Sequence, residues 1–354
     1  MHRLLDYILW LPLLGALLIL FIPLAFIYKF IIEVRFFLYN NNFNKITEFK
    51  TPIISVGNIT VGGTGKTPMV HFLAKELINQ YHKIAILSRG YGRKSSGYKV
   101  VSDGVSTLSN HLDSGDEPFL LSKLLKNCIV VVDENRIRGI KNIQNQFNPD
   151  LIILDDGFQQ LNIKKNVDIV LINASKEFSE LKLLPFGVGR EPIGYLERAN
   201  FLIFTKAKEF EIPIWESKLN FKNNLYCTDY RSKVVAYNNG YFKSIDILPK
   251  SIFAFCGIAD PNSFKSILKE KNIFPSSIKI FKDHQSYSKK SLRLLSKEIL
   301  DCKTENIITT EKDLVKLPDY FTDNYNVYVI RIEHIFEDKE LFLQQLKSLI
   351  KEKK

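Results

Sequence analysis

The sequence predicts an α/β protein: a P-loop-type parallel sheet sandwich, a second, smaller α/β domain and an N-terminal hydrophobic membrane helix. Three observations carry that expectation. From Pro52 onward short β-branched runs alternate with amphipathic stretches, the pattern of a doubly wound sheet. Ser55 to Pro68 reads SVGNITVGGTGKTP, a Gly-rich loop between a strand and a helix. Tyr7 to Tyr28 contains no charged residue. The 354 residues suffice for two domains. The expected segments are 1–40 (membrane-associated helix), 41–225 (P-loop domain), 226–248 (hairpin linker) and 249–354 (smaller α/β domain with a C-terminal helix).

As a helix, the uncharged run would be roughly 33 Å long, enough to reach across the hydrocarbon of a bilayer. Pro12 and Pro23 would kink it, so it either spans or lies along one leaflet. A cleaved signal peptide is the competing reading. Against it, the run is long, no small-x-small site follows, and Phe30 to Tyr39 is again apolar and aromatic, with Lys29 and Arg35 interleaved. Lys and Arg are more frequent on the C-terminal flank, which places the globular part in the cytoplasm.

Continuous apolar runs mark buried parallel strands at Lys83 to Leu87, Ile129 to Asp133, Leu151 to Leu154, Val167 to Ile172 and Phe201 to Phe204. Helices are expected after the Gly-rich loop, at Pro118 to Leu125 and at Arg136 to Gln144. Tyr226 to Leu248 shifts to alternating polar and aromatic residues, with Asn239-Gly240 as a hairpin turn. Strands then recur at Ile252 to Gly257, Ile278 to Phe281, Ile307 to Thr309 and Val327 to Ile332, between helices at Pro261 to Lys271, Lys289 to Leu300 and Lys339 to Lys351.

Composition narrows the partners. Cys128, Cys227, Cys256 and Cys302 are scattered, with no CxxC pair, which suits a reducing compartment and argues against a disulfide framework or a structural metal. The net charge of +11 suits an anionic partner. No helix-turn-helix, RNP or zinc signal points to nucleic acid, and anionic lipid headgroups give the charge a simpler partner at the membrane surface.

The loop from Thr60 through Val61, Gly62, Gly63, Thr64, Gly65 and Lys66 to Thr67 is a phosphate cradle. Its glycines let successive backbone N–H groups point at an anion, Lys66 would reach the outer phosphates, and the Thr67 hydroxyl would ligate Mg²⁺. Thr60 stands where the strict pattern has a Gly. LIILDDGFQQ delivers Asp155 and Asp156 to the carboxyl edge of the sheet, where one of the two handles metal or nucleophile; the sequence does not divide the work between them. DSGDEP opens a helix with Asp116 and Glu117 in its first turn. SRGYGRK supplies Arg89 and Arg93 to grip a phosphate. LPFGVGREP offers Arg190 with Glu191 as a second clamp, and Asp283-His284 follows a late strand with Tyr287 nearby. TTEKDL, Thr309 to Leu314, is a strand-to-helix turn whose charges are read as structural. A switch-type or metallochaperone NTPase is the alternative class. Guanine selection would need Asp at the end of Thr205-Lys206-Ala207-Lys208, where Lys208 stands, so ATP is favoured over GTP.

Taken together, SVGNITVGGTGKTP, SRGYGR, GDEP, DDGFQ, LPFGVGREP, FCGIADPNSF, DHQSY and TTEKD stand in the order found in the tetraacyldisaccharide 4'-kinase family, which the chain resembles along nearly its whole length. The resemblance implies two α/β/α domains joined by a hairpin linker, with the active site in the cleft between them. It implies an N-terminal helix on the cytoplasmic face of the inner membrane, ATP and Mg²⁺ as cofactors, and a lipid disaccharide 1-phosphate as substrate. No obligate protein partner follows. Transfer of the ATP γ-phosphate to the 4'-hydroxyl is the implied reaction. Residue by residue, it makes Lys66, Asp116, Asp156 and His284 catalytic, with Asp116 taking the hydroxyl proton. Thr67, Glu117 and Asp155 lie on the metal side, and Arg89 and Tyr91 at the substrate headgroup. LPFGVGREP varies where relatives usually carry Ala, Pro and Leu, and DHQSY lacks a second histidine sometimes found after His284; both departures bear on the shape of the lipid pocket.

Overall fold

A computed structural model describes residues 2–219, 221–238, 241–245, 247–283 and 285–352, with side chains from Phe21 to Lys351. His284, the Asn239-Gly240 turn and the side chains of the apolar run up to residue 20 lie outside the described residues. In chain order the elements are α1 (His2–Asn40), β1 (Ile53–Asn58), α2 (Lys66–Leu77), β2 (Ile84–Ser88), β3 (Lys99–Asp103), α3 (His111–Ser114), α4 (Asp116–Leu124), β4 (Cys128–Val132), α5 (Arg136–Phe147) and β5 (Leu151–Asp155). There follow β6 (Val167–Asn173), β7 (Phe201–Thr205), β8 (Asn224–Asn238), β9 (Tyr241–Ser244), β10 (Phe253–Cys256), α6 (Pro261–Glu270), β11 (Ser277–Ile280) and α7 (Lys289–Asp301). β12 (Asn306–Thr310), α8 (Glu311–Leu314), α9 (Asp319–Thr322), β13 (Asn326–Phe336) and α10 (Lys339–Glu352) complete the chain. The fold is mixed α/β with mostly parallel strands, and it divides into two compact units that interleave along the sequence.

The first unit comprises Met1–Lys66, Asp156–Asp229 and Phe336–Lys354. Here β6 is flanked by β1 and β7, all parallel, and β7 pairs with the start of β8 from Phe201↔Asn224 to Phe204↔Cys227. β1 is buried throughout, and β6 throughout but for half-buried Asn173; most of their residues are Ile, Val and Leu, with Ser55, Asn58 and Asp168 as buried polar exceptions. Phe158, Val170, Ile172, Phe204 and Trp215 form a core on one side. α10 sets Phe342 edge-on to Phe201, with ring centres 5.2 Å apart.

α1 docks on this unit through its later turns. The Tyr28 hydroxyl donates to the Arg190 carbonyl at 2.9 Å, Arg35 donates to the Gln159 carbonyl at 2.9 Å, and Phe36 stacks on Tyr195 with ring centres 4.1 Å apart. Phe26, Ile27, Phe30, Ile31 and Phe37 stay exposed. Among the described residues no helix is long and apolar enough to cross a membrane; past Phe21 the apolar run is broken by Lys29, Glu33 and Arg35.

The second unit comprises Thr67–Asp155 and Tyr230–Ile335. β2 lies between β4 and β5, all three parallel and buried along their whole lengths. β3, which the apolar-run pattern does not reveal, pairs antiparallel with β4. β10 lies between β11 and β12, and β12 pairs with β13, again in parallel. Met69, Val70, Leu73, Ala74 and Leu77 are the buried face of α2. The stretch from Tyr226 to Leu248 contains most of β8, whose end pairs antiparallel with β9 from Val235↔Ser244 to Asn238↔Tyr241.

Candidate active site

In the first unit the phosphate loop leaves β1 and is tied down on both sides. Val61 N–H donates to the Val188 carbonyl at 2.7 Å, Arg190 N–H to the Ile59 carbonyl at 2.6 Å, and Thr60 bridges to Gly189. The Asn58 amide donates to the Thr64 hydroxyl at 2.9 Å, and the Thr205 hydroxyl to the Thr64 carbonyl at 3.0 Å. Gly62, at φ +109°, holds a turn that a side chain would strain, and it has open space where a Cβ would point. Val61, Gly62 and Gly63 are exposed, so the loop presents its tip while its flanks are fixed. A loop held in this way would need little further ordering to receive an anion.

Lys66 opens α2, where the helix dipole favours negative charge. Its ammonium lies 3.5 Å from Asp156 Oδ1, and Arg190 Nη1 lies 3.2 and 3.1 Å from the two Asp156 oxygens. Burial alone would raise the Asp156 carboxyl, but Lys66 and then Arg190 outweigh it and hold the group below the usual carboxylate range. The three charged groups sum to one positive charge beside the loop. Arg190 thus joins the loop through Asp156. Glu191 turns the other way, buried and paired with Arg198 at 2.5 Å, and the Arg198 guanidinium lies 3.8 Å from the centre of the Phe158 ring.

In the second unit, Asp155 ends β5 and accepts from the Ser88 hydroxyl at 2.9 Å, while its carbonyl accepts from Arg136 at 3.0 Å. Thr67 lies half-buried in the first turn of α2. The loop Ser88 to Lys94 runs against the start of α4 so closely that a Cβ on Gly90 would meet the Ser114 carbonyl at 2.7 Å, and one on Gly115 the Tyr91 carbonyl at 2.9 Å. That packing puts exposed Arg89 and Tyr91 on the loop that covers the helix start bearing Asp116 and Glu117. Arg93, expected to grip phosphate, instead staples the loop: it pairs with Glu134 and donates to the Gly97 carbonyl at 2.7 Å.

Asp116 and Glu117 face the TTEKDL segment of the same unit. Lys316 Nζ lies 3.7 Å from Asp116 Oδ2 and 3.2 Å from Asp313 Oδ1; Lys312 Nζ lies 4.0 Å from Glu117 and 3.7 Å from Asp283. Asp313 is buried and accepts from Gly257 N–H at 2.9 Å, the Thr310 hydroxyl at 2.8 Å and the Tyr287 hydroxyl at 3.0 Å. Burial, then the neighbouring Asp313 anion, pushes the Tyr287 phenol far above its ordinary value, so it stays a hydrogen-bond donor.

The profile of the family described as Tetraacyldisaccharide-1-P 4'-kinase, LpxK, matches residues 17–351. The chain belongs to that family. Among curated relatives, the tetraacyldisaccharide 4'-kinase of Desulfotalea psychrophila is 38% identical over 307 residues, 85% of this chain and 88% of the relative. That of Aquifex aeolicus is 34% identical over 319 residues, 89% and 95% of the two chains. The crystal structure of LpxK from Aquifex aeolicus in complex with ATP superposes with a TM-score of 0.77 at 31% identity, covering 93% of this chain and 98% of that one.

Within the 4'-kinase family fold the first unit gathers Lys66, Asp156 and Arg190 at the loop, and the second unit gathers Asp116, Glu117, Lys312, Lys316 and Asp313. Asp313 ends the TTEKD motif, whose charges read as structural in the sequence, and Lys316 is not singled out by the sequence. The one available signal for Lys316 is its spacing four residues after Lys312, in the turn after a buried strand.

Proposed function

We propose that this chain transfers the γ-phosphate of ATP to the 4'-hydroxyl of a tetraacylated disaccharide 1-phosphate, a step of lipid A biosynthesis, at the cytoplasmic face of an inner membrane. The observation that carries the reading is the pairing of Lys66 and Arg190 on Asp156 beside a preformed phosphate loop, in a chain matched to the kinase family from residue 17 to 351.

Phosphoryl transfer needs mainly positioning and neutralisation of charge. The loop Thr60 to Thr67 would take the ATP phosphates through its N–H groups, with Lys66 countering the charge on the outer ones. Asp156, paired with both, would hold the Lys66 and Arg190 charges side by side at the loop until the nucleotide arrives. Asp116 would accept the proton of the sugar hydroxyl, and His284 is expected to assist it. Exposed Arg89 and Tyr91 would meet the headgroup, with the guanidinium suited to the 1-phosphate. Thr67, Asp155 and Glu117 are hard oxygen donors of the kind Mg²⁺ takes, and Ser88 already orients the Asp155 carboxylate. Bound there, the ion would neutralise phosphate charge.

Membrane attachment would run through α1. Its Tyr28, Arg35 and Phe36 side hold the first unit, which leaves Phe26, Ile27, Phe30, Ile31 and Phe37 to enter the interface. Acyl chains would then remain in lipid while the sugar is lifted to the protein.

The test is to incubate the purified full chain with γ-labelled ATP and a disaccharide 1-phosphate lipid in mixed micelles, then locate the new phosphate by NMR. Label on the 4'-oxygen is the expected result. Label on the existing phosphate, or ATP hydrolysis without lipid labelling, would overturn the assignment.

A further inference from the structure

We propose that Lys316 is a positioning residue for Asp116: its buried ammonium, anchored on Asp313, holds the Asp116 carboxylate in the orientation that receives the sugar hydroxyl. The inference rests on the reading of Asp116 as the proton acceptor.

The Lys316 side chain is 1% exposed and Asp313 0%, whereas Asp116 keeps 14% of its side-chain surface open. A lysine so deeply buried is tolerated only beside compensating negative charge. Asp313 supplies it, one helical turn earlier at 3.2 Å. Asp313 is itself fixed by neutral donors from three places in the fold: Gly257 after β10, Tyr287 ahead of α7 and Thr310 at the end of β12. Because those donors satisfy much of the Asp313 carboxylate, the single charge of Lys316 is shared outward, toward Asp116 at 3.7 Å. The Tyr287 ring, with its centre 5.6 Å from the ammonium, closes another side.

Rigidity is the consequence that matters. Lysine is normally a poor orienting group because its four-carbon stem keeps many rotamers. Here burial removes that freedom. Asp116 stands at the first residue of α4, and its carboxylate faces the buried ammonium. Lys312 makes the contrast: 22% exposed and 4.0 Å from Glu117, it is a looser partner to the neighbouring carboxylate.

The experiment compares Lys316→Met, Asp116→Asn and the double variant in the full chain, assayed with ATP and the lipid acceptor. Lys316→Met should lower kcat on the order of tenfold to a hundredfold while KM for ATP stays within about threefold. The double variant should be no slower than Asp116→Asn alone, because a positioning residue has nothing left to position. A merely structural lysine would raise KM and multiply its loss onto Asp116→Asn. Either that multiplication, or a kcat for Lys316→Met within about twofold of the parent, overturns the inference. If Lys316→Met fails to give the parent's circular dichroism, Lys316→Gln makes the same comparison. If Asp116→Asn alone keeps full turnover, the proton-acceptor reading falls; if Asp116→Asn is inactive and Lys316→Met is normal, only the role of Lys316 falls.

Discussion

Asp156 and Arg190, 34 residues apart, form an ion pair in which one guanidinium nitrogen lies 3.2 and 3.1 Å from the two carboxylate oxygens, and Lys66 approaches the same carboxylate at 3.5 Å. Asp156 holds this position in the left-handed region, φ +55°. Asn tolerates that conformation nearly as well as Asp, so Asp156→Asn removes the charge and leaves the backbone in place. Lys66 and Arg190 would then present two uncompensated charges to the loop. Binding of a non-hydrolysable ATP analogue should be unchanged or tighter, while turnover falls on the order of a hundredfold because the cations are no longer aligned. Calorimetric titration with single-turnover assays checks both. Loss of nucleotide binding in Asp156→Asn would show that the carboxylate serves the loop's shape instead.

The buried strands were legible because burial on both faces demands unbroken apolar runs: β2, β4 and β5 announce themselves by composition alone. β3 does not. It pairs antiparallel on one side of β4, only Val101 and Ser102 are buried, and its sequence KVVSD reads as a loop. The end of β8 was legible, since its polar and aromatic residues alternate as a half-exposed hairpin strand requires; that the same strand begins beside β7 was not. At the site, glycines and the Asp pair could be read locally, because each acts through its own backbone or strand end. Partner choice could not. Arg190 is adjacent to Glu191 in sequence yet bonds Asp156, and Glu191 bonds Arg198, a pairing set by side-chain direction in three dimensions.

The Glu191–Arg198 pair yields a stability prediction. Arg198 is held between the Glu191 carboxylate and the Phe158 ring, and both charged side chains are largely buried. Glu191→Ala would leave the guanidinium buried with no counter-charge from Glu191, at a cost of about 3 kcal/mol. The melting midpoint should fall by several degrees. Glu197→Ala, at an exposed position six residues on, should leave it unchanged and serves as the control. Equal midpoints for the two variants would contradict the structural role of the pair.

The outward face of α1 yields a binding prediction. Phe30 and Ile31 are 66% and 58% exposed while neighbouring Tyr28 and Phe36 dock on the protein. Replacing both Phe30 and Ile31 with Asp adds charge where lipid is expected without touching the docking contacts. Sedimentation with phosphatidylethanolamine and phosphatidylglycerol vesicles should drop by about tenfold or more, and ATP binding should not change. Undiminished sedimentation would assign the membrane contact to another surface.

His71 yields a pH prediction. It lies on α2 and lines a cavity of about 270 Å³ with Lys75, Leu124, Cys128, Arg331 and Glu333. Burial, then the positive charges of Arg331 and Lys75, lowers its imidazole from an ordinary 6.5 to about 4, with Glu333 opposing weakly. Between those two values the unfolded chain binds a proton at His71 and the folded chain does not, so unfolding gains as pH falls. Stability is therefore complete above about pH 6.5, declines by about 1.4 kcal/mol per unit below it, and loses about 3 kcal/mol by pH 4 from this residue alone. Carboxylates elsewhere titrate over part of that range, so the informative quantity is the difference between the parent and His71→Gln in urea unfolding at several pH values. Their gap should shift in favour of the variant as pH drops from 6.5 to 4 and stay level above 7. A gap that is flat throughout would mean that the folded chain takes up the proton as readily as the unfolded one, with the cavity admitting water or an anion beside the ring.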